Sequence, residues 1–288
     1  LLDIFRADDC MNLFEAEKAT CVLGATPFVF DILEELRQHP RDLSSLRFFL
    51  CGGTTIPPKL FEDCRPFGIR LLSIYGSTES SPHSLVRLND TREHTEETDG
   101  CAVDGVEIRV VDDNRHEVPH GQEGEEASRG PQVFVGYWGE PEMTARALDA
   151  DGWYYSGDYC RTDSEGRYIR ITGRKKDIIV RGGENISSRE VEDIVLEYPG
   201  VREAAVVAMP DERLGERSCA CVSMRPGAPA MHLTDLVAFF DGRRVAKYKF
   251  PEYLVVLDAL PRTSSGKLQK FALARMVRER VAAGQPSD

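Results

Sequence analysis

The opening 76 residues alternate segments patterned as helices with short apolar strand signals, and two of those strands run out into glycine. Asp8 or Asp9 is placed to cap a helix reaching about residue 18, and residues 20–24 read as a strand. Pro27 suits the first turn of a second helix ending near residue 37, because a missing N–H costs nothing there. Residues 47–51 (RFFLC) give the next strand signal and stop at Gly52-Gly53. Pro57-Pro58 opens another helix, and residues 70–74 (RLLSI) lead into Tyr75-Gly76. Strands separated by helices of this length return in the same direction, so the pattern predicts a parallel sheet. Ligands of such sheets gather beyond the carboxyl ends of the strands. Both glycine positions fall there.

Helix signals fade from about residue 100. Residues 106–110 alternate apolar and polar, Asp112-Asp113-Asn114 supplies a turn, and glycines at 124, 130, 136, 152, 157 and 166 punctuate short strands. That spacing predicts a small antiparallel barrel or curled sheet. Beyond Gly173 the pattern changes again. Ser187 and Glu190 have capping-box spacing, Val191, Ile194, Val195 and Tyr198 repeat at helical intervals, and Pro199-Gly200 stops the helix. Strands at 202–209, 218–224 and 253–257, a helix at 234–240 and a last helix from about 268 complete an α+β unit. The expected organisation is α/β, with a partial α/β segment (1–95), a β-rich segment (96–175) and a C-terminal α+β domain (176–288).

Charge and cysteines narrow the function. Thirty-six basic against 48 acidic side chains leave a net charge of −12, which disfavours a role that needs a broad basic surface, such as non-specific DNA binding or adhesion to anionic lipid. No apolar run approaches the ~18 residues of a membrane span. The eight cysteines include no C-x-x-C pair. Cys219 and Cys221 alternate onto one face of a strand, where they are poorly set for a disulfide. Unpaired cysteines fit a reducing compartment, so the expected location is the cytoplasm.

Four segments carry chemistry. In Tyr75-Gly76-Ser77-Thr78-Glu79 a ring can stack on a purine, a glycine admits close backbone approach, a hydroxyl can reach a phosphate, and a carboxylate is a hard ligand for Mg²⁺. Taken alone, this is as readily a capped strand-to-loop turn. In Ser156-Gly157-Asp158 the acid can accept from ribose hydroxyls, or simply close a turn. Arg174 offers a fork of donors for a ribose or phosphate oxygen, and Gly182-Gly183 leaves room for a slender ligand. The basic cluster around them equally suits a solvated face. Finally, 261–267 (PRTSSGK) looks like half a P-loop, but Pro261 and Leu268 stand where that motif needs Gly and Ser or Thr. What remains is a small-residue loop presenting Lys267, a group able to meet charge developing in a transition state.

In this order YGSTE, SGD, GRKKD…GGEN and SSGK resemble the adenylate-forming (AMP-binding) ligases, the superfamily of acyl-CoA synthetases, luciferases and peptide-synthetase adenylation domains. Residues 51–55 (CGGTT) resemble its adenine loop, and Gly124-Glu125 through Arg129-Gly130-Pro131 its GE…RGP segment. GATPFVFD, FFLCGGTTIP and YGSTESSPH look most like bacterial enteric-type short- to medium-chain fatty-acid–CoA ligases. The resemblance implies ATP/AMP, Mg²⁺ and coenzyme A, with a fatty acid activated as acyl-AMP and passed to CoA. Residue by residue, it implies Tyr75 and Gly76 with the Gly52, Gly53 and Thr54 backbone for adenine. Thr78 would contact the α-phosphate, Glu79 would hold Mg²⁺, and Asp158 and Arg174 would take the ribose. Lys267 would bridge carboxylate and α-phosphate, Lys176 would be the hinge, and Gly182-Gly183 would line the pantetheine path.

The family's phosphate loop, a Ser/Thr/Gly-rich stretch ending in Pro-Lys-Gly, does not occur in residues 1–74. The sequence therefore resembles the C-terminal part only: half of a large α/β plus β-barrel adenylation domain, then a small α+β domain. Such a part alone is expected not to catalyse adenylation, and its missing sheet neighbours favour dimerisation. Peripheral contact at the inner membrane rests on the lipid substrate alone, since no amphipathic basic helix supports it. Alternatives are loading of a carrier protein, or a non-catalytic interaction module.

Overall fold

The computed structural model describes residues 5–53, 56–263 and 267–282, with backbone only at 281–282. The chain divides into two compact units, Leu1–Ile171 and Thr172–Asp288, a few residues ahead of the boundary expected before 176.

The first unit begins with α1 (Ala7–Ala16), β1 (Cys21–Ala25), α2 (Thr26–Gln38), β2 (Phe48–Gly52), α3 (Pro58–Cys64) and β3 (Leu71–Ser77), close to the bounds read from the sequence. β1, β2 and β3 are parallel neighbours. Val29, Ile32, Leu33 and Leu36 form one buried stripe of α2 and pack with Phe49, Leu60 and Leu71. That i, i+3, i+4, i+7 spacing fixes which face of the helix turns inward. Asp8 and Asp9 do not cap α1. The cap is Arg6, without a side-chain bond, and both acids sit in the first turn, paired with Arg6 at 3.1 and 3.3 Å. There they favour the positive end of the helix dipole.

β4 (Ser81–Leu85), α4 (Arg92–Glu97) and β5 (Cys101–Ala102) follow; β4 extends the sheet antiparallel to β3, and β5 pairs antiparallel with β4. A second sheet holds β6 (Glu107–Val111), β7 (Gly124–Arg129), β8 (Tyr154–Thr162) and β9 (Ile169–Arg174) in that order. It is open. The expected barrel does not form among the described residues, because β6 and β9 are the two edges of the sheet and do not pair. The short α5 (Pro141–Ala147) interrupts this region. It has no buried residue, and hence no apolar stripe for a sequence to display.

The second unit contains β10 (Ile178–Arg181), β11 (Glu184–Ser187), α6 (Ser188–Leu196), β12 (Val201–Asp211), β13 (Gly215–Met224), α7 (Leu233–Asp241), β14 (Tyr253–Val256) and α8 (Lys270–Ala282). Its sheet runs β11-β10-β13-β12, with β14 parallel beside β13. Val206, Ala220 and Val222 pack with Val191, Leu236 and Phe240 of α6 and α7, while Ala205, Val207, Cys219 and Cys221 pack with Leu273 and Val277 of α8. Both faces are thus buried over the middle of β12 and β13, where residues 204–209 and 219–222 carry no charged side chain. Ser187 caps α6 as its spacing predicts, its Oγ accepting from the Glu190 N–H at 3.4 Å. All eight cysteines are free thiols; Cys219 and Cys221 lie on one face, Sγ to Sγ 4.0 Å. No helix among the described residues is long and apolar enough to cross a membrane.

Candidate active site

Two strand irregularities build the site. β3 and β4 pair Tyr75 with Ser84 and Gly76 with Pro82, so His83 is an extra residue without a partner on β3. β7 and β8 pair Glu125 with Tyr159 and Ala127 with Tyr155. Ser156-Gly157-Asp158 therefore bulges opposite the single Glu126. Bulges interrupt the ladder and re-aim side chains. Gly157, at φ 72°, makes the second one possible. Ser156 holds it, its Oγ donating to the Glu126 carbonyl at 3.0 Å and accepting from the Asp158 N–H at 3.1 Å.

The two bulges meet through Tyr75, whose hydroxyl donates to Asp158 Oδ2 at 3.0 Å and lies 3.4 Å from Glu126 Oε2. Burial, with the two carboxylates, holds the phenol well above its ordinary pKa, so Tyr75 remains a donor. Motifs far apart in sequence become one cluster. The reading of Gly76 changes, however. A Cβ there would lie 2.2 Å from the Ser81 carbonyl oxygen and 2.6 Å from Pro82 Cα. The space that glycine leaves open is filled by β4 itself.

Glu79 follows at the end of this segment, its Oε1 accepting from the Tyr137 hydroxyl at 2.9 Å and its carbonyl from the Phe134 N–H at 2.7 Å. Burial and this bond raise the Tyr137 pKa. The other Glu79 oxygen makes no further bond among the described residues, and one carboxylate with a free oxygen suits Mg²⁺, which keeps waters and shares substrate phosphates. Thr78 is exposed beside it. Gly52 ends β2 next to β3, with Ile74 Cγ2 only 3.0 Å from where its Cβ would be, and Gly53 has φ 82°. Thr54 lies outside the described residues.

The remaining candidates belong to the second unit. Arg174 is exposed at the end of β9, and Lys176 is exposed in the 3-10 turn Lys175–Asp177. Gly182 and Gly183 form the two-residue connection between β10 and β11, with φ 59° and 92° and Arg181 paired to Glu184. Two positive φ angles in a two-residue hairpin demand this pair whatever passes by. Lys267 is exposed. Its N–H donates to Thr263 Oγ1 at 3.1 Å and its carbonyl accepts from the Thr263 N–H at 2.8 Å, while residues 264–266 lie outside the described set. Behind it, Lys270 Nζ reaches Glu192 Oε1 at 2.7 Å and Ser188 Oγ at 2.9 Å, and Arg262 pairs with Glu203.

His83 and Glu126 were not among the residues expected from sequence. Nothing local marks Glu126, which follows Glu125 in GEEASR, and the one signal for His83 is an imidazole inside a short strand, where a buried polar group needs a partner.

A parallel core ending in glycine, two facing bulges and a separate lysine-bearing α+β unit are the parts of an adenylate-forming enzyme. Residues 2–138 match the AMP-binding enzyme family and residues 190–267 the AMP-binding enzyme C-terminal domain; the chain belongs to this family. It is 62% identical over 281 residues to the medium-chain fatty-acid–CoA ligase of Escherichia coli (strain K12), covering 98% of this chain and 50% of that protein. It is 38% identical over 270 residues to feruloyl-CoA synthase of an Amycolatopsis species, covering 92% and 53%. Among solved structures, ATP-bound MatB from Rhodopseudomonas palustris superposes with a TM-score of 0.89 at 30% identity, covering 97% and 55%. The chain thus spans about half the length of the relatives it matches.

Proposed function

We propose that the intact protein is an AMP-forming fatty-acid–CoA ligase for short- to medium-chain acids. A carboxylate oxygen attacks the α-phosphorus of ATP and pyrophosphate leaves. The thiol sulfur of CoA then attacks the acyl carbonyl, and AMP leaves. The observation that most supports this is the contact between Tyr75 and Asp158, which places an aromatic ring beside a carboxylate as an adenosine requires. Tyr75 with Gly52, Gly53 and Thr54 takes adenine, Asp158 and Arg174 take the ribose hydroxyls, and Thr78 takes an α-phosphate oxygen. Mg²⁺, when bound at Glu79, neutralises phosphate charge. Lys267 meets the negative charge shared by carboxylate and α-phosphate, and the Gly182-Gly183 turn leaves a path for pantetheine. Eight unpaired cysteines support a reducing, cytoplasmic setting.

The test is Lys267→Ala in the full-length protein, assayed by fatty-acid-dependent ATP–pyrophosphate exchange and by thioester formation from supplied acyl-adenylate. Exchange should fall by ~10²–10³, as for loss of one charge-stabilising donor, while thioester formation persists. Equal loss of both steps, or no exchange by the unaltered protein with any fatty acid, sinks the reading. Transfer to a carrier protein in preference to CoA selects the carrier-loading alternative.

A further inference from the structure

His83 and Glu126 have no part in that scheme, yet their side chains are 1% and 0% exposed. They join the two sheets of the first unit, His83 from the β4 bulge and Glu126 from β7 opposite the β8 bulge. His83 Nδ1 lies 2.9 Å from the Ser81 carbonyl oxygen and 2.9 Å from Ser80 Oγ. A hydrogen on Nδ1 serves the carbonyl, and a bare Nδ1 accepts from the Ser80 hydroxyl, so this side of the ring is satisfied in either tautomer. Nε2 faces Glu126 Oε1 at 3.1 Å, and a bare nitrogen lone pair against a carboxylate would repel. One proton therefore lies between them. Burial alone would lower the histidine pKa, but Glu126 and the backbone at Ser80 and Ser81 carry it above its ordinary value. The ring holds that proton and donates it to Glu126.

The consequence reaches the nucleotide residues. Tyr75 has one hydroxyl hydrogen and two carboxylates within range, Asp158 at 3.0 Å and Glu126 at 3.4 Å. The Tyr75 and His83 rings also meet edge to face, 5.1 Å between centroids. Left without the His83 donor, Glu126 competes for that hydrogen and draws the Tyr75 hydroxyl from Asp158. Ser81 adds a geometric demand: it sits at φ 47°, strained for a side-chain-bearing residue, with its carbonyl beside His83 Nδ1 and pressed against Gly76.

We propose that His83 is a positioning residue for nucleotide binding, acting through Glu126 to commit the Tyr75 hydroxyl to Asp158 and to lock the β4 bulge beneath Gly76. This rests on the ligase reading above. In the full-length protein, His83→Ala should raise the KM for ATP, and weaken AMP binding measured by calorimetry, by about 10- to 100-fold, the range of a charge-assisted hydrogen bond. The KM for CoA should stay within about 2-fold. Because the effect runs through the phenol, H83A in a Tyr75→Phe background should cost less than about 3-fold more. Removing the stranded charge as well, in H83A/E126Q, should recover most of the lost AMP affinity. His83→Gln carries the same comparisons should H83A not fold.

An unchanged KM for ATP, full additivity with Y75F, or no recovery in H83A/E126Q overturns the proposal. An unaltered protein that binds AMP and exchanges pyrophosphate while H83A matches it refutes only this inference. Absence of exchange in the unaltered protein refutes the ligase reading instead.

Discussion

Lys270→Ala is a sharp test of how the second unit is held together. Lys270 opens α8, and its ammonium sits 2.7 Å from Glu192 on α6 and 2.9 Å from Ser188 Oγ. Glu192 is 12% exposed and Lys270 24%, and the second Glu192 bond comes from the Val206 N–H at 2.7 Å. Removing one member of a buried pair costs about 3–5 kcal/mol, because the other charge stays buried without its partner. The partial exposure of Lys270 places the expectation near the lower end, ~3 kcal/mol. At about 4 °C per kcal/mol for a unit of this size, melting should fall by ~12 °C.

The pH dependence has a definite sign. Burial raises the Glu192 pKa above its ordinary value even though Lys270 pulls it down. A carboxyl raised in the folded state stabilises below its unfolded pKa, and that contribution is lost as pH rises through the folded pKa. Without Lys270 the folded pKa climbs further. The deficit of K270A is therefore largest at neutral pH and shrinks as acid protonates Glu192. Hydrogen exchange followed by mass spectrometry on peptides from α6, β12 and α8 reads this directly. Both tryptophans, Trp138 and Trp153, lie in the first unit, so the tryptophan fluorescence transition should not move. A deficit below ~1 kcal/mol at neutral pH, or one that grows towards acid, refutes the reasoning.

Gly76→Ala must push backbone atoms at 2.2 and 2.6 Å, so it should destabilise the first unit by about 1–3 kcal/mol, read by tryptophan fluorescence in denaturant. A neutral result would mean that the β4 bulge is pliable. Under native conditions a maleimide should label Cys21 first, since it alone of the eight cysteines is exposed. Burial pushes the thiol of Cys10 up to about 11 and that of Cys64 to about 12. Intact-mass analysis showing several rapid adducts on the folded chain would contradict the packing.

Elements that sequence could mark were those with a long apolar stripe or a cap. Val29, Ile32, Leu33 and Leu36 announce α2, and Ser187 with Glu190 announces the start of α6. The short helices α4 and α5 escaped, because six and seven residues bury too little to leave a periodic trace. So did the β10–β11 hairpin, because Gly182-Gly183 alone does not distinguish a chain reversal from a gap left for a ligand. Site residues grouped in one motif were legible for the same local reason. Tyr75, Gly76, Thr78 and Glu79 travel together in five residues.

What the sequence determined by itself was the order of strands and helices in the first 76 residues, the positions of the main strands of the second unit, and the motif order that marks the family. These depend on contacts between near neighbours, or on solvent alone, and so leave a period in the chain. The tertiary structure decided how far the second sheet curls, which residue is the extra one in each bulge, and that His83 and Glu126 face one another 3.1 Å apart. A bulge is a register choice between two strands, and a buried side-chain hydrogen bond is a meeting of two groups distant in sequence. Neither has a period, so each is fixed only when the two sheets come together.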